Sequence, residues 1–218
     1  MLFGAEFLLF YQGLVWTTAS RAVVFLYTAP LFVAIGARWA VPGDRFRPIQ
    51  WTGLVLCFAG IAAAFGVPSG SADPRQTAGD LLMLIAAASW GATTLVIKAS
   101  ALNRSPSEKT LLYQLLVSIP LLVLGVLASG ERVTEAPSAV ALGALAYQTI
   151  LVTGISYVAW FALVQRYSAS RLAAFTFLTP LFGVVAGHLV LDEPVTASFA
   201  TAVLMVIGGL VLVNRPPK

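Results

Sequence analysis

Seven stretches of this chain run without a single Asp, Glu, Lys or Arg: Ala22–Ala37, Pro48–Ala72, Leu81–Ile97, Thr110–Gly130, Ala136–Gln165, Leu172–Leu191 and Pro194–Asn214. A helix needs about 20 largely apolar residues to cross the hydrocarbon core of a bilayer, so runs of this kind in such number leave no soluble fold open. An eighth stretch, Phe7–Ser20, becomes long enough if Met1–Glu6 joins it, which sets the Glu6 carboxylate near the helix start. Turn-forming residues punctuate the boundaries, among them Pro42-Gly43-Asp44, the segment Pro68–Pro74, Asn103–Pro106 and Asp192-Glu193-Pro194. The expected fold is all-α and integral to the membrane, with eight transmembrane helices in one compact domain.

Composition closes off other classes. Hydrophobic residues make up 59% of the chain and charged residues 10%, against roughly 25% charged in a soluble domain. One cysteine (Cys57) and one histidine (His188) exclude a disulfide framework and a Cys or His metal cluster. The chain has no GxxxxGK[ST] loop, dinucleotide fingerprint or HExxH helix, so neither cofactor nor metal is expected. The N-terminus lacks the basic region of a signal peptide.

The net charge of +4 would admit a nucleic-acid partner, but the basic residues sort by loop. With eight spans, Arg38, Arg45, Arg47, Lys98, Arg104, Lys109, Arg166, Arg171, Arg215 and Lys218 fall on the side of the termini, and only Arg21, Arg75 and Arg132 on the other. Short cytoplasmic loops collect Lys and Arg, which places both termini in the cytoplasm and makes the lipid bilayer the partner, with no nucleic acid.

The segment Ala19–Phe32 overlays Ala169–Phe182 at an offset of 150, matching Ser20/Ser170, Arg21/Arg171, Phe25/Phe175 and Pro30/Pro180, and the similarity resumes after a one-residue gap at Asp44/Glu193 and Gly60/Gly209. Five helices separate the two junctions. An odd number means that the copies cross the bilayer in opposite directions, as in the inverted-topology repeats of secondary transporters, whose substrate site lies at the repeat interface.

Ser-Arg, then Pro-Leu-Phe, then an acidic turn (Pro42–Arg45 and Leu191–Pro194), then Ala59-Gly60 or Gly208-Gly209, resembles the EamA-type branch of the drug/metabolite transporter superfamily over nearly the whole chain. The resemblance implies two five-helix halves, ten helices in all, with both termini cytoplasmic in the plasma or inner membrane. The eight helices here look like the third to tenth. Residues 1–66 then form a partial first repeat of three helices, 67–78 a linker loop, 79–214 a second repeat of five, and 215–218 a cytoplasmic tail. Either the chain is a natural short form or its start lies upstream of Met1. The implied function is export of a small metabolite or drug-like solute.

Pro30 and Pro180 fall near the middle of their helices, where each removes a backbone donor and frees a carbonyl, at Leu26 and Thr176, beside the expected cavity. Thr149, Thr153, Ser156 and Trp160 follow helical spacing and form a polar and aromatic stripe facing the bundle interior. Shifting Ser156 back by 150 lands on Glu6, a candidate coupling carboxylate, unless it sits in the headgroup zone. Tyr11, Tyr27, Tyr157, Trp90 and Trp160 are the aromatic candidates for cavity lining, with ordinary packing as the alternative. Lys98 and His188 are expected at helix ends near the interface, and Arg21 and Arg171 either guard vestibules or anchor headgroups. Gly183-Val184-Val185-Ala186-Gly187 offers a helix-packing or homodimer face.

Three functions remain. The first is a secondary transporter of a small-molecule solute working by alternating access. The second is an intramembrane enzyme, for which the single His leaves few acid/base groups. The third is a non-transporting fragment or interaction module needing a partner chain.

Overall fold

The structure is a computed structural model describing residues 1–66, 73–130, 136–191 and 197–215. Arg132, Asp192, Glu193, Pro194, Lys218 and the first half of the linker loop, residues 67–72, lie outside the described residues. Those described form helices and loops only, with no strand. In chain order the helices are α1 (Leu2–Trp16), α2 (Ala19–Leu26), α3 (Ala29–Ala40), α4 (Pro48–Phe65), α5 (Pro74–Ala99), α6 (Ser107–Ser129), α7 (Ala139–Tyr147), α8 (Tyr157–Arg166), α9 (Ala169–Phe175), α10 (Leu178–Leu191) and α11 (Ala197–Val213). A π-helical stretch, Gln148–Ser156, joins α7 to α8.

Taken as continuous rods, six segments are long and apolar enough to cross a membrane: Ala19–Ala40, Pro48–Phe65, Pro74–Ala99, Ser107–Ser129, Ala139–Arg166 and Ala169–Val190. Two further apolar helices, Leu2–Trp16 and Ala197–Val213, are shorter. The expected count of eight full-length spans thus becomes six plus two. Boundaries moved where local chemistry outweighed hydropathy. The fourth rod starts at Pro74 rather than Leu81 because Asp73 caps it, accepting from the Arg75 amide at 2.8 Å, and because Asp80 is neutralised by Arg21. The first rod runs from Leu2 and stops at Trp16, since Thr18 turns the chain and caps α2 by accepting from the Arg21 amide.

The prolines break their rods rather than kinking them. Pro30 lies in the first turn of α3, where a missing N–H costs no helical bond. The chain ahead of it is closed by Thr28, whose hydroxyl donates to the Phe25 carbonyl at 2.6 Å. At the second break the Thr176 hydroxyl donates to the Ala173 carbonyl at 2.7 Å. The Thr176 carbonyl, expected to be free, accepts the Thr179 amide at 3.0 Å.

Helix α4 and helix α11 form the most intimate pair in the bundle. A Cβ built on Gly53 would stand 2.6 Å from the Gly209 carbonyl oxygen, and one on Gly60 would stand 3.0 Å from that of Ala202. Only small residues allow two helix backbones this close. Between these points the Cys57 thiol reaches the Val206 carbonyl at 3.5 Å, and at the end of the pair buried Gln50 donates to the Val213 carbonyl at 2.7 Å. Helix α5 packs on α1, α2 and α3, while α6 lies along α1 and α8.

Polar clasps tie the rods at their ends. Asp80 accepts from the Thr17 hydroxyl at 2.6 Å and pairs with the Arg21 guanidinium, fixing the α1–α2 junction to α5. Arg21 therefore makes a structural ion pair rather than serving as a bare headgroup anchor. Buried Asp44 accepts from the Ser168 hydroxyl at 2.8 Å and the Ser170 amide at 3.1 Å, holding the start of α9 against the α3–α4 loop. Lys98 donates to the Gln165 carbonyl at 2.9 Å, where a cation suits the C-terminal end of α8. Exposed His188 lies in the last turn of α10. Gly183 of the small-residue pattern faces open space, while Gly187 is half-buried.

Candidate solute-binding cavity

Helices α1, α2, α5, α8 and α9 converge around a cavity of about 560 Å³, inside the range of roughly 300–1,000 Å³ that suits small-molecule sites. From α1 come Phe3, Glu6, Phe7 and Phe10, whose spacing of three, one and three residues puts them on one helical face. Trp90, Thr93 and Thr94 enter from α5, Tyr27 from the first helix break, and Thr176 with Thr179 from the second. Ser156, Tyr157, Trp160 and Phe161 close the wall from the start of α8.

The aromatic rings support one another. Phe3 packs against Phe7 at 4.9 Å between centroids and meets Tyr157 edge-on at 5.7 Å, and Tyr157 stacks with Phe161 at 6.4 Å. Contacts of this kind fix ring orientation, and Trp90 and Trp160 line the same space.

Among the polar groups, most hydroxyls turn back onto their own helices. Thr94 donates to the Trp90 carbonyl at 3.2 Å, Ser156 to the Val152 carbonyl and Thr176 to the Ala173 carbonyl. Thr93 differs: it is 7% exposed, and its hydroxyl has no hydrogen-bond partner among the described residues. Among the described residues Glu6 is the sole acidic or basic side chain lining the cavity, and none forms a salt bridge with it.

Of the residues singled out from the sequence, Glu6, Tyr27, Trp90, Ser156, Tyr157 and Trp160 line this space. Four others do not. Tyr11 is 57% exposed, packed against Phe7 and Phe10 on the outer side of α1. Thr153, half-buried in the π-helical stretch that also holds Ser156, does not reach the lining. Pro30 is fully buried against a void of about 10 Å³ beside Trp90 and Trp160, too small for a solute. Pro180 is buried in the first turn of α10, away from the lining.

The reading of the sequence missed Phe3, Phe7, Phe10, Thr93 and Thr179. For the phenylalanines a signal existed, their common face with Glu6. Thr93 had none, since a threonine within an apolar helix gives no hint of whether a partner awaits it.

The lining also pairs across the offset of 150: Glu6 with Ser156, Phe7 with Tyr157, Phe10 with Trp160 and Leu26 with Thr176 all face the same space.

Comparison with known proteins agrees with this architecture. The profile of the EamA-like transporter family matches residues 1–66 and 77–215. The uncharacterized transporter YvbV of Bacillus subtilis is 28% identical over 94% of this chain and 66% of its own length. An uncharacterized transporter of Archaeoglobus fulgidus is 28% identical over 98% of the chain and 69% of its own. The uncharacterized inner membrane transporter YedA of Escherichia coli is 23% identical over 88% and 61%. The chain thus spans about two thirds of the length of these relatives. A crystal structure with 20% identity superposes with a TM-score of 0.84, covering 97% of this chain and 74% of the other. At that identity the likeness is one of fold.

Proposed function

This chain belongs to the EamA-like transporter family, and from that premise we propose that it is a secondary transporter exporting a small metabolite or drug-like solute by alternating access. It is a multi-pass membrane protein, and membership of a transporter family sets it apart from enzymes. In this reading α1 and α11 also cross the bilayer, giving eight crossings in an inverted repeat with both termini cytoplasmic in the inner membrane. Residues 1–66 and 79–214 are the repeats, 67–78 the linker and 215–218 the tail.

The observation that carries the proposal is the pairing of the cavity lining. Residues 150 positions apart line the same space, as expected of a midplane site on a two-fold axis in the membrane plane. Glu6 is the coupling group of this scheme, with Tyr157 across the cavity and Tyr11 one turn along α1 as its titratable neighbours.

The test is counterflow of radiolabelled solutes, drawn from amine, amino-acid and carboxylate libraries, in proteoliposomes holding the purified chain. Saturable flux that Trp90→Ala and Trp160→Ala each abolish supports the proposal. Proteoliposomes with no more flux than protein-free vesicles, across the libraries and with both orientations present, overturn it for this chain.

One observation favours a second reading, in which the chain acts together with partner helices. No residue of α7 or of the π-helical stretch is buried, and Val140, Leu145 and Ile150 are broadly exposed. A monomeric mass by light scattering in detergent together with full flux would dismiss that reading. Flux appearing only in a dimeric or hetero-oligomeric fraction would establish it.

A further inference from the structure

The cavity carries a chemical asymmetry that says which solutes it accepts. Among the described residues its lining holds one carboxylate, Glu6, and no Lys, Arg or His. Beside this one acidic group stand five phenylalanines (Phe3, Phe7, Phe10, Phe161, Phe175), Tyr27, Tyr157, Trp90 and Trp160. An anion would meet the Glu6 charge with no cation to answer it. A neutral polar solute would leave the carboxylate uncompensated in an apolar wall. A cation meets both the carboxylate and the negative faces of the rings, the tryptophans foremost.

Thr93 supplies the second, independent observation. Its hydroxyl is buried against the cavity without a partner, and an unsatisfied buried hydroxyl of this kind is a vacancy for a ligand's hydrogen bond. A protonated primary or secondary amine brings several N–H donors, one for the carboxylate and one for a hydroxyl oxygen. A quaternary ammonium brings none.

We propose that this cavity binds a protonated arylalkylamine, with the ammonium held by Glu6 and Thr93 beside the faces of Trp90 and Trp160 and the aromatic body among the phenylalanines. The inference deepens the transporter reading and rests on the same cavity. A volume of about 560 Å³ admits amines up to drug size.

The experiment uses three probes of matched length, phenylbutylamine, phenylbutanol and phenylbutyrate, with equilibrium binding to the purified chain in detergent read by calorimetry at neutral pH. The amine is expected to bind tightest, and Glu6→Gln to weaken it by on the order of tenfold or more, the value of a charge-assisted hydrogen bond, while leaving the alcohol unchanged. Thr93→Val is expected to weaken the amine but not its trimethylammonium analogue. Trp160→Leu guards against loss of fold in the Glu6 variant: it keeps an apolar wall and is expected to cost the amine roughly threefold through the lost cation–π contact. Equal or tighter binding of the alcohol or the carboxylate overturns the proposal, as does amine binding indifferent to both Glu6→Gln and Trp160→Leu. Because binding is measured without flux, the two readings fail separately. Amine binding without transport sinks the transporter reading alone, and counterflow of an anion without amine binding sinks this one alone.

Discussion

The rings of Tyr27 and Phe177 meet with centroids 6.2 Å apart and planes tilted by 35°, and the two residues are 150 positions apart, the offset of the internal repeat. Each stands at the break in its rod, just ahead of Pro30 or Pro180. Equivalent residues of two copies touch only where a symmetry axis passes between them. A second such pair follows the one-residue gap: Cys57 and Val206, 149 positions apart, meet at the crossing of α4 and α11. The close approaches on either side, Gly53 on Gly209 and Gly60 on Ala202, exchange under the same shift. These two self-pairs support the proposed inverted repeat.

The crossing of α4 and α11 should resist any added side chain. Gly209→Ala would place a methyl 2.5 Å from both the Gly53 carbonyl oxygen and the Cys57 sulfur, an overpacking expected to cost about 1–3 kcal/mol. Gly183→Ala adds the same methyl into open space and is expected to leave stability unchanged. Thermal unfolding of both variants in one detergent, followed by circular dichroism, makes the comparison.

Asp80 and Arg21 are each largely buried, with side-chain exposures of 9% and 16%. Asp80→Asn keeps the shape but removes the charge that answers the guanidinium, and breaking such a pair from one side costs about 3–5 kcal/mol. The double variant Asp80→Leu with Arg21→Met is expected to recover much of that loss, because it removes both charges together. A double-mutant cycle on thermal stability reads the coupling, and independent, additive losses would show that the pair contributes little.

Asp44 accepts from both Ser168 and Ser170, so Asp44→Ala strips α9 of its clasp to the α3–α4 loop. A loss of about 1–2 kcal/mol is expected, the size of a lost helix cap. Hydrogen exchange checks the location: amides at the start of α9 should exchange faster while those of α5 do not change.

Pro30 sits where its missing N–H is not needed, with Thr28 closing the break ahead of it. Pro30→Ala is accordingly expected to cost under about 1 kcal/mol, well short of the roughly 3 kcal/mol scale of a helix-interior proline. If the two breaks are hinges of alternating access, the same substitution should slow counterflow while leaving equilibrium solute binding intact. Unchanged rates for both Pro30→Ala and Pro180→Ala would deny the breaks a hinge role.

What the amino-acid order determined by itself was the material and the punctuation. Long uncharged runs require helices in lipid because unpaired backbone groups have no water there. Proline marks the breaks at Pro30 and Pro180 wherever the rods go, and the repeated Ser-Arg junctions are visible without coordinates. Tertiary structure decided which faces meet. In a soluble helix the buried stripe is apolar and the rest polar, but lipid is as apolar as a protein core, so the hydropathy of α1 does not separate Phe7, which lines the cavity, from Tyr11, which faces outward. A stripe drawn at α-helical spacing likewise does not hold through the π-helical stretch Gln148–Ser156, where Thr153 lies. The charged pairs follow the same logic. Arg21 finds Asp80, and Ser168 finds Asp44, across distances in sequence that only the assembled bundle closes.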